Sequence, residues 1–202
     1  MPAIDTVIFD IGNVLIEWNP RHLYRKLFAE EARMEWFLAN ICTGAWNLEQ
    51  DRGRSFAVGV RELTARHPEW AREIRAYDER WGEMVPGEIP GSVAILDNLL
   101  QRYLPTFGIS NFSAEKYAYA RERFGFLDRL NGVVISGHEG LLKPDAAIYR
   151  LFLERYGRQA RHCLFIDDSP ANVEGARKIG MNAVRFQGAP QLERDLIAHG
   201  LL

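Results

Sequence analysis

The sequence predicts an α/β protein built on a parallel sheet with helices over both faces. Two observations predict it. Five short apolar runs rich in β-branched residues read as buried strands, and helical patterns precede or separate the last four. A third observation adds a second module. The stretch from about Pro20 to Met84, after the first run, looks helical throughout.

The strands are expected at Thr6–Asp10, Thr106–Ser110, Gly132–Ser136, Cys163–Asp167 and Ala183–Phe186. Asn19-Pro20 reads as a helix start, and so does His67-Pro68. After the second come Trp70, Ile74, Tyr77, Trp81 and Met84, at spacings of four and three that put them on one stripe. That stripe reads as the packing face of a helical bundle. Ser92 is expected to open a helix with Ile95, Leu96, Leu99 and Leu100 on its apolar face. Another starts near Asp145 and carries Ile148, Leu151 and Phe152. A third has Ser169 as N-cap, Pro170 at its first position and Gly180 past its end. A helical block inserted after the first strand would sit above the carboxyl ends of the strands, where open sheets bind ligands.

Composition narrows the function. The 202 residues suffice for one well-filled domain or a domain with a modest insertion. A net charge of -2 offers no basic surface for nucleic acid. Cys42 and Cys163 make neither a disulfide framework nor a zinc spacing, and read as small buried residues. Val7-Ile8-Phe9 is too short for a signal segment, and no stretch is long enough to span a bilayer. A reduced, cytoplasmic setting is the expectation. The sequence assigns no oligomeric state.

Four polar clusters fall at or just beyond the carboxyl ends of four strands. They are Asp10-Ile11-Gly12-Asn13-Val14, Ser110-Asn111, Lys143-Pro144-Asp145 and Asp167-Asp168. Any one of them is ordinary loop polarity. As an ordered set they match the needs of phosphoryl transfer. A carboxylate such as Asp10 can attack phosphorus and form an acyl phosphate. The phosphoryl oxygens then need positive charge and donors. Lys143 supplies the charge, Ser110 a hydroxyl, and the backbone N–H groups after Asp10 and of Asn111 complete a cradle. Asp167 and Asp168 accept only, which suits a hard cation. Two carboxylates about 4 Å apart repel by roughly 4 kcal/mol at an effective dielectric near 20. Three acids and one lysine would repel a phosphate unless a divalent cation joins them.

These four clusters resemble the four motifs of the haloacid dehalogenase (HAD) superfamily, in which phosphatases predominate. The resemblance implies a Rossmann-like parallel sheet core with an inserted helical cap. The core would comprise 1–17 and 86–202, and the cap 18–85. It further implies a Mg²⁺-dependent phosphatase of small phosphate esters. Asp10 would be nucleophile and metal ligand, with Asp167, Asp168 and the Gly12 carbonyl completing the metal site. Ile11, Gly12, Ser110, Asn111 and Lys143 would hold phosphate. Most such phosphatases carry a second aspartate two residues after the nucleophile, as acid and base for the leaving group. Here that position is Gly12. The run FDIGNVL is similar to a branch that includes phosphatases of α-glucose 1-phosphate, so sugar phosphates are favoured. An anomeric phosphate needs less protonation on leaving. Substitute acids on the cap side are Glu17, Glu49 and Asp51, although each reads more readily as a solvated surface carboxylate.

Two other functions compete. A 2-haloacid dehalogenase would use Asp10 against carbon, but needs no metal and usually lacks the acidic pair. A catalytically impaired module binding a phosphorylated ligand or a protein would explain Gly12 alone. Among secondary candidates, Asp145 caps a helix or orients Lys143, and Asn172 supports the metal shell or solvates a helix start. Trp18, Trp46 and Arg52 flank the cap entrance, the tryptophans reading mainly as packing. His22, His67, His138, His162 and His199 show no ligand spacing.

Overall fold

The computed structural model describes residues 3–202. The five expected runs are all strands with slightly different ends. They are β1 (Thr6–Phe9), β2 (Thr106–Ser110), β3 (Val133–Ile135), β4 (Cys163–Asp167) and β5 (Asn182–Arg185). Ser136 opens a short helix, Ser136–Glu139, instead of ending β3. All pairings are parallel, in the order β3-β2-β1-β4-β5. The order reverses between β1 and β4, which opens a crevice at their carboxyl ends.

Strand alternation divides the core into two layers. Val7 and Phe9 face one layer with Leu96, Leu99, Leu192 and Leu196. Ile8 faces the other with Ile148, Phe152, Phe165 and Val173. The helix expected to open at Ser92 begins earlier, at Pro90, and runs to Gln101. Proline suits a first helical position, where no N–H is needed, and this leaves Ser92 buried inside the first turn. Asp145 caps the helix Ala146–Arg155 by accepting from the Ala147 N–H at 2.9 Å. Pro170 starts the helix Pro170–Lys178, and Gly180 beyond it has φ +88°. No helix is long and apolar enough to cross a membrane among the described residues.

Between β1 and the helix at Pro90 the chain is helical. Its helices are Arg21–Tyr24, Glu31–Asn40, Gly44–Asp51, Phe56–Arg66 and Ala71–Glu79, with 3-10 turns at Pro68–Trp70 and Trp81–Met84. The aromatic stripe is therefore carried by three successive pieces. Ile74, Tyr77 and Met84 are buried in the core, while Trp81 bridges to Phe112 with ring centroids 5.7 Å apart. Tyr24, Phe37, Trp46 and Phe56 pack around Tyr77 and one another. The chain enters and leaves this block on adjacent segments. Glu17 N–H donates to the Gly87 carbonyl at 3.0 Å, and Ile89 N–H to the Leu15 carbonyl at 2.8 Å.

Candidate active site

The site begins where β1 ends. Asp10 keeps one sheet-like bond, its N–H donating to the Ile166 carbonyl at 2.8 Å. The chain then turns sharply. The Ile11 carbonyl accepts from the Leu15 and Ile16 N–H groups at 2.9 and 3.0 Å. Asn13 adopts φ +57°, a left-handed conformation that asparagine tolerates better than most residues. Its side-chain oxygen accepts from the Trp18 N–H at 3.0 Å and secures the turn. The loop leaves Asp10 only 7 % exposed.

The two oxygens of Asp10 differ. Oδ1 accepts from the Ile11 N–H at 2.7 Å, Ser110 Oγ at 2.7 Å and Lys143 Nζ at 2.8 Å. Among the described residues nothing donates to Oδ2. One oxygen thus fixes the carboxylate while the other stays available for chemistry.

Lys143 is buried and uses all three donors of its ammonium. They reach Asp10 Oδ1 at 2.8 Å, Asp167 Oδ2 at 2.6 Å and the Ile109 carbonyl at 3.0 Å. Burial favours its neutral form, but the two carboxylates outweigh burial and hold its pKa above the ordinary value. Asn111 places it. The Asn111 side chain donates to the Lys143 carbonyl at 3.0 Å and accepts from the Lys143 N–H at 2.8 Å.

Asp167, fully buried at the end of β4, is held on several sides. Besides Lys143, it accepts from the Ser169 N–H at 2.8 Å and from Asn172 Nδ2 at 3.0 and 3.1 Å. Asn172 therefore orients this carboxylate. Asp168 is half-buried and carries no such set. One oxygen from each of Asp10, Asp167 and Asp168 lies within 4.8 Å of the others. Burial, reinforced by Asp167 and only partly offset by Lys143, pushes the Asp10 carboxyl up to about 7. Burial and Asp167 likewise raise Asp168. Three acids gathered around one lysine carry an excess of negative charge. An all-oxygen donor set of this charge fits a hard divalent cation.

One cavity gathers most of the expected residues. Asp10, Gly12, Ser110, Asn111 and Asp168 line it, with Lys143 and Asp167 buried beneath. The Ile11 N–H is turned back onto Asp10. A Cβ at Gly12 would meet nothing within 4 Å, so this position faces open space. Of the cap-side candidates, Trp18 and Asp51 line the cavity. Glu17 instead pairs with His22 at 2.6 Å, and exposed Glu49 faces Arg52 at 3.6 Å. Trp46 is buried against Phe56 and Tyr77. Sequence reasoning missed Asn47, Phe56, Trp81, Phe112, Ser113 and Lys116 as lining residues. Ser113 and Lys116 had a signal, because they open the helix Ala114–Arg123 just after Ser110-Asn111. Cys42 and Cys163 are buried and free, as expected.

Comparison with known proteins agrees with this geometry. The family described as haloacid dehalogenase-like hydrolase matches residues 4–180. The chain belongs to that family. The sesquiterpene phosphatase astK of Aspergillus oryzae is 25% identical to this hydrolase over 176 residues, covering 86% of the chain and 85% of the relative. Drimenol cyclase drtB of Aspergillus calidoustus is 30% identical over 93 residues, which is 46% of this hydrolase but only 18% of the cyclase. A HAD family enzyme of Bacteroides thetaiotaomicron, in complex with magnesium and inorganic phosphate, shares the fold with a TM-score of 0.70. It is 20% identical, and the match covers 92% of this chain and 96% of that one.

Proposed function

We propose that this hydrolase is a Mg²⁺-dependent phosphatase of small phosphorylated metabolites, sugar phosphates among the favoured substrates. The observation that carries it is the divided role of the Asp10 oxygens. Three donors immobilise Oδ1, Oδ2 has no donor among the described residues, and Asp10 lines the cavity together with Ser110 and Asp168. A nucleophile needs that combination of rigidity and one free oxygen.

In this reading Asp10 attacks phosphorus and becomes a phospho-aspartyl group, which water then hydrolyses. Ser110 and the Asn111 N–H hold phosphoryl oxygens. Lys143 balances the charge of Asp10 and Asp167 from below. Asp10, Asp168, the Gly12 carbonyl and Asp167 are the residues that would hold Mg²⁺, and Asn172 keeps Asp167 in place. When bound, Mg²⁺ neutralises the acids and withdraws electron density from the phosphoryl group. The helical block 18–85 acts as the cap, and Trp18, Phe56 and Trp81 offer apolar faces to the substrate body. A relative named as a phosphatase over most of its length supports the reaction class.

The test offers purified protein p-nitrophenyl phosphate with Mg²⁺ and with EDTA, and a 2-haloacid in parallel. Nitrophenol release that needs Mg²⁺ is expected. Halide release indifferent to EDTA would replace this reading with dehalogenation.

A further inference from the structure

A phosphatase must return a proton to the departing oxygen, and the position that commonly supplies it in this family is Gly12 here. We propose that Asp51 is the general acid and base, reaching the leaving group from the helical insertion across the cavity it shares with Asp10. The inference rests on the phosphatase reading.

Elimination within the cavity comes first. Its titratable lining residues are Asp10, Asp51, Lys116 and Asp168. Asp10 is the nucleophile, and Asp168 belongs to the acid cluster. Lys116 is committed to Asp78, donating to its carboxylate and, at 3.0 Å, to its carbonyl. Asp51 alone is neither nucleophile, part of the acid cluster nor paired with a cation among the described residues. Glu17 and Glu49, the other acids of this region, pair with His22 and Arg52 away from the cavity.

Placement comes second. Asp51 is the last residue of the helix Gly44–Asp51, and its carbonyl accepts from Ser136 Oγ in the sheet domain. This bond staples the helix end to the core beside the site. Oδ2 of Asp51 accepts from Asn47 Nδ2 at 2.9 Å, fixing the carboxyl plane. Gly12 and Asp51 line the same cavity, and the open space at Gly12 leaves room there for a proton donor from the helical insertion.

Protonation fits the role. Burial pushes the Asp51 carboxyl up to about 7, with the Ser113 N–H and Lys143 pulling it back only in part. An acid poised near neutrality suits general acid–base work. The charged or titratable groups around it are Lys143 and Lys116, Asp10 and Asp168, and the buried Tyr77 of its own module. His138, on the short helix packed against it, is exposed and turned to Tyr117.

The steps balance. An Asp10 oxygen bonds to phosphorus as the bond from phosphorus to the leaving oxygen breaks. The Asp51 proton passes to that oxygen. Asp51, now a carboxylate, takes a proton from water as the water oxygen attacks phosphorus. Asp10 departs as a carboxylate, inorganic phosphate is released, and Asp51 is again protonated.

The test compares wild type and Asp51→Asn on substituted phenyl phosphates of graded leaving-group acidity, with Mg²⁺. Asp51→Asn should lose about 10²–10⁴-fold in kcat/KM on phenyl phosphate but less than about 10-fold on p-nitrophenyl phosphate, whose leaving group needs no proton. The wild-type fall in rate above neutral pH on phenyl phosphate should vanish in the variant. A uniform loss across the series, or none, overturns the assignment. Should Asp51→Asn not fold, wild type alone decides. Its rate should fall above neutral pH on phenyl but not on p-nitrophenyl phosphate, and parallel profiles overturn the proposal. A wild type inert on every ester would instead overturn the phosphatase reading itself.

Discussion

Replacing Asp10 by asparagine should abolish turnover and make the metal-free protein more stable. The carbonyl oxygen of Asn would keep the place of Oδ1, with its three donors from Ile11, Ser110 and Lys143. The amide nitrogen would replace Oδ2, which has no donor to lose. What changes is charge. Burial raises the Asp10 carboxyl from 3.8 to about 7, so holding it ionised at pH 8 costs about 4 kcal/mol. That figure already includes the charge-assisted bond to Lys143 that a neutral acceptor forgoes. The gain of about 4 kcal/mol corresponds to a Tm higher by roughly 8–16 °C for a chain of this size. The sign follows from the direction of the shift. A raised carboxyl binds its proton more tightly in the native state, so wild type loses this stability as pH rises from about 4 to about 7. Asp10→Asn lacks that loss, so its advantage should be small near pH 4 and full at pH 8. Thermal melts in EDTA at the two pH values measure it. Turnover of p-nitrophenyl phosphate should fall by at least about 10⁴-fold. An Asn variant less stable than wild type at pH 8 would show that the ionised pair with Lys143 is a net gain, and would refute the reasoning.

The neighbouring positions behave differently. Lys143→Met leaves Asp10 and Asp167 buried without their cation, and should cost about 3–5 kcal/mol in urea unfolding, along with all activity. Asn172→Ala frees Asp167 from two hydrogen bonds and should weaken Mg²⁺ binding by about 10–100-fold in titration calorimetry, with the fold intact. Mg²⁺ should raise Tm more at pH 8 than at pH 5, because the acids must lose their protons to bind it. A Tm gain larger at pH 5 would argue that the acidic cluster is not where the ion binds.

Much of the fold was legible because buried parallel strands leave local marks. Val7-Ile8-Phe9 and Leu164-Phe165-Ile166 are continuous apolar runs, as strands covered on both faces must be. The helix begins at Pro90, two residues before the serine expected to open it, because proline suits a first helical position where no N–H is needed. The stripe from Trp70 to Met84 kept its spacing but lost its continuity, and that put Trp81 against both the core and the cavity. Within the site, the side chain of Asn111 was out of reach. Its bonds to the Lys143 backbone join residues 32 apart in the chain, and nothing local announces them.

By itself the sequence determined which residue types stand at the ends of β1, β2 and β4 and in the loop after β3, because strand periodicity and the change from apolar to polar are local properties. Only the tertiary structure decided how those groups divide the work. Ser110, Lys143 and the Ile11 N–H converge on one oxygen of Asp10, and Asp167 is taken up by Lys143, Ser169 and Asn172 while Asp168 stays open. The same holds for the acids of the helical block. Glu49 and Asp51 are two residues apart on one helix, and at about 100° per residue they point to nearly opposite sides. Only one of them can face the cavity. Which one depends on the phase of that helix, set by Trp46 and Gln50 packing inward and by Ser136 holding the Asp51 carbonyl from another part of the chain.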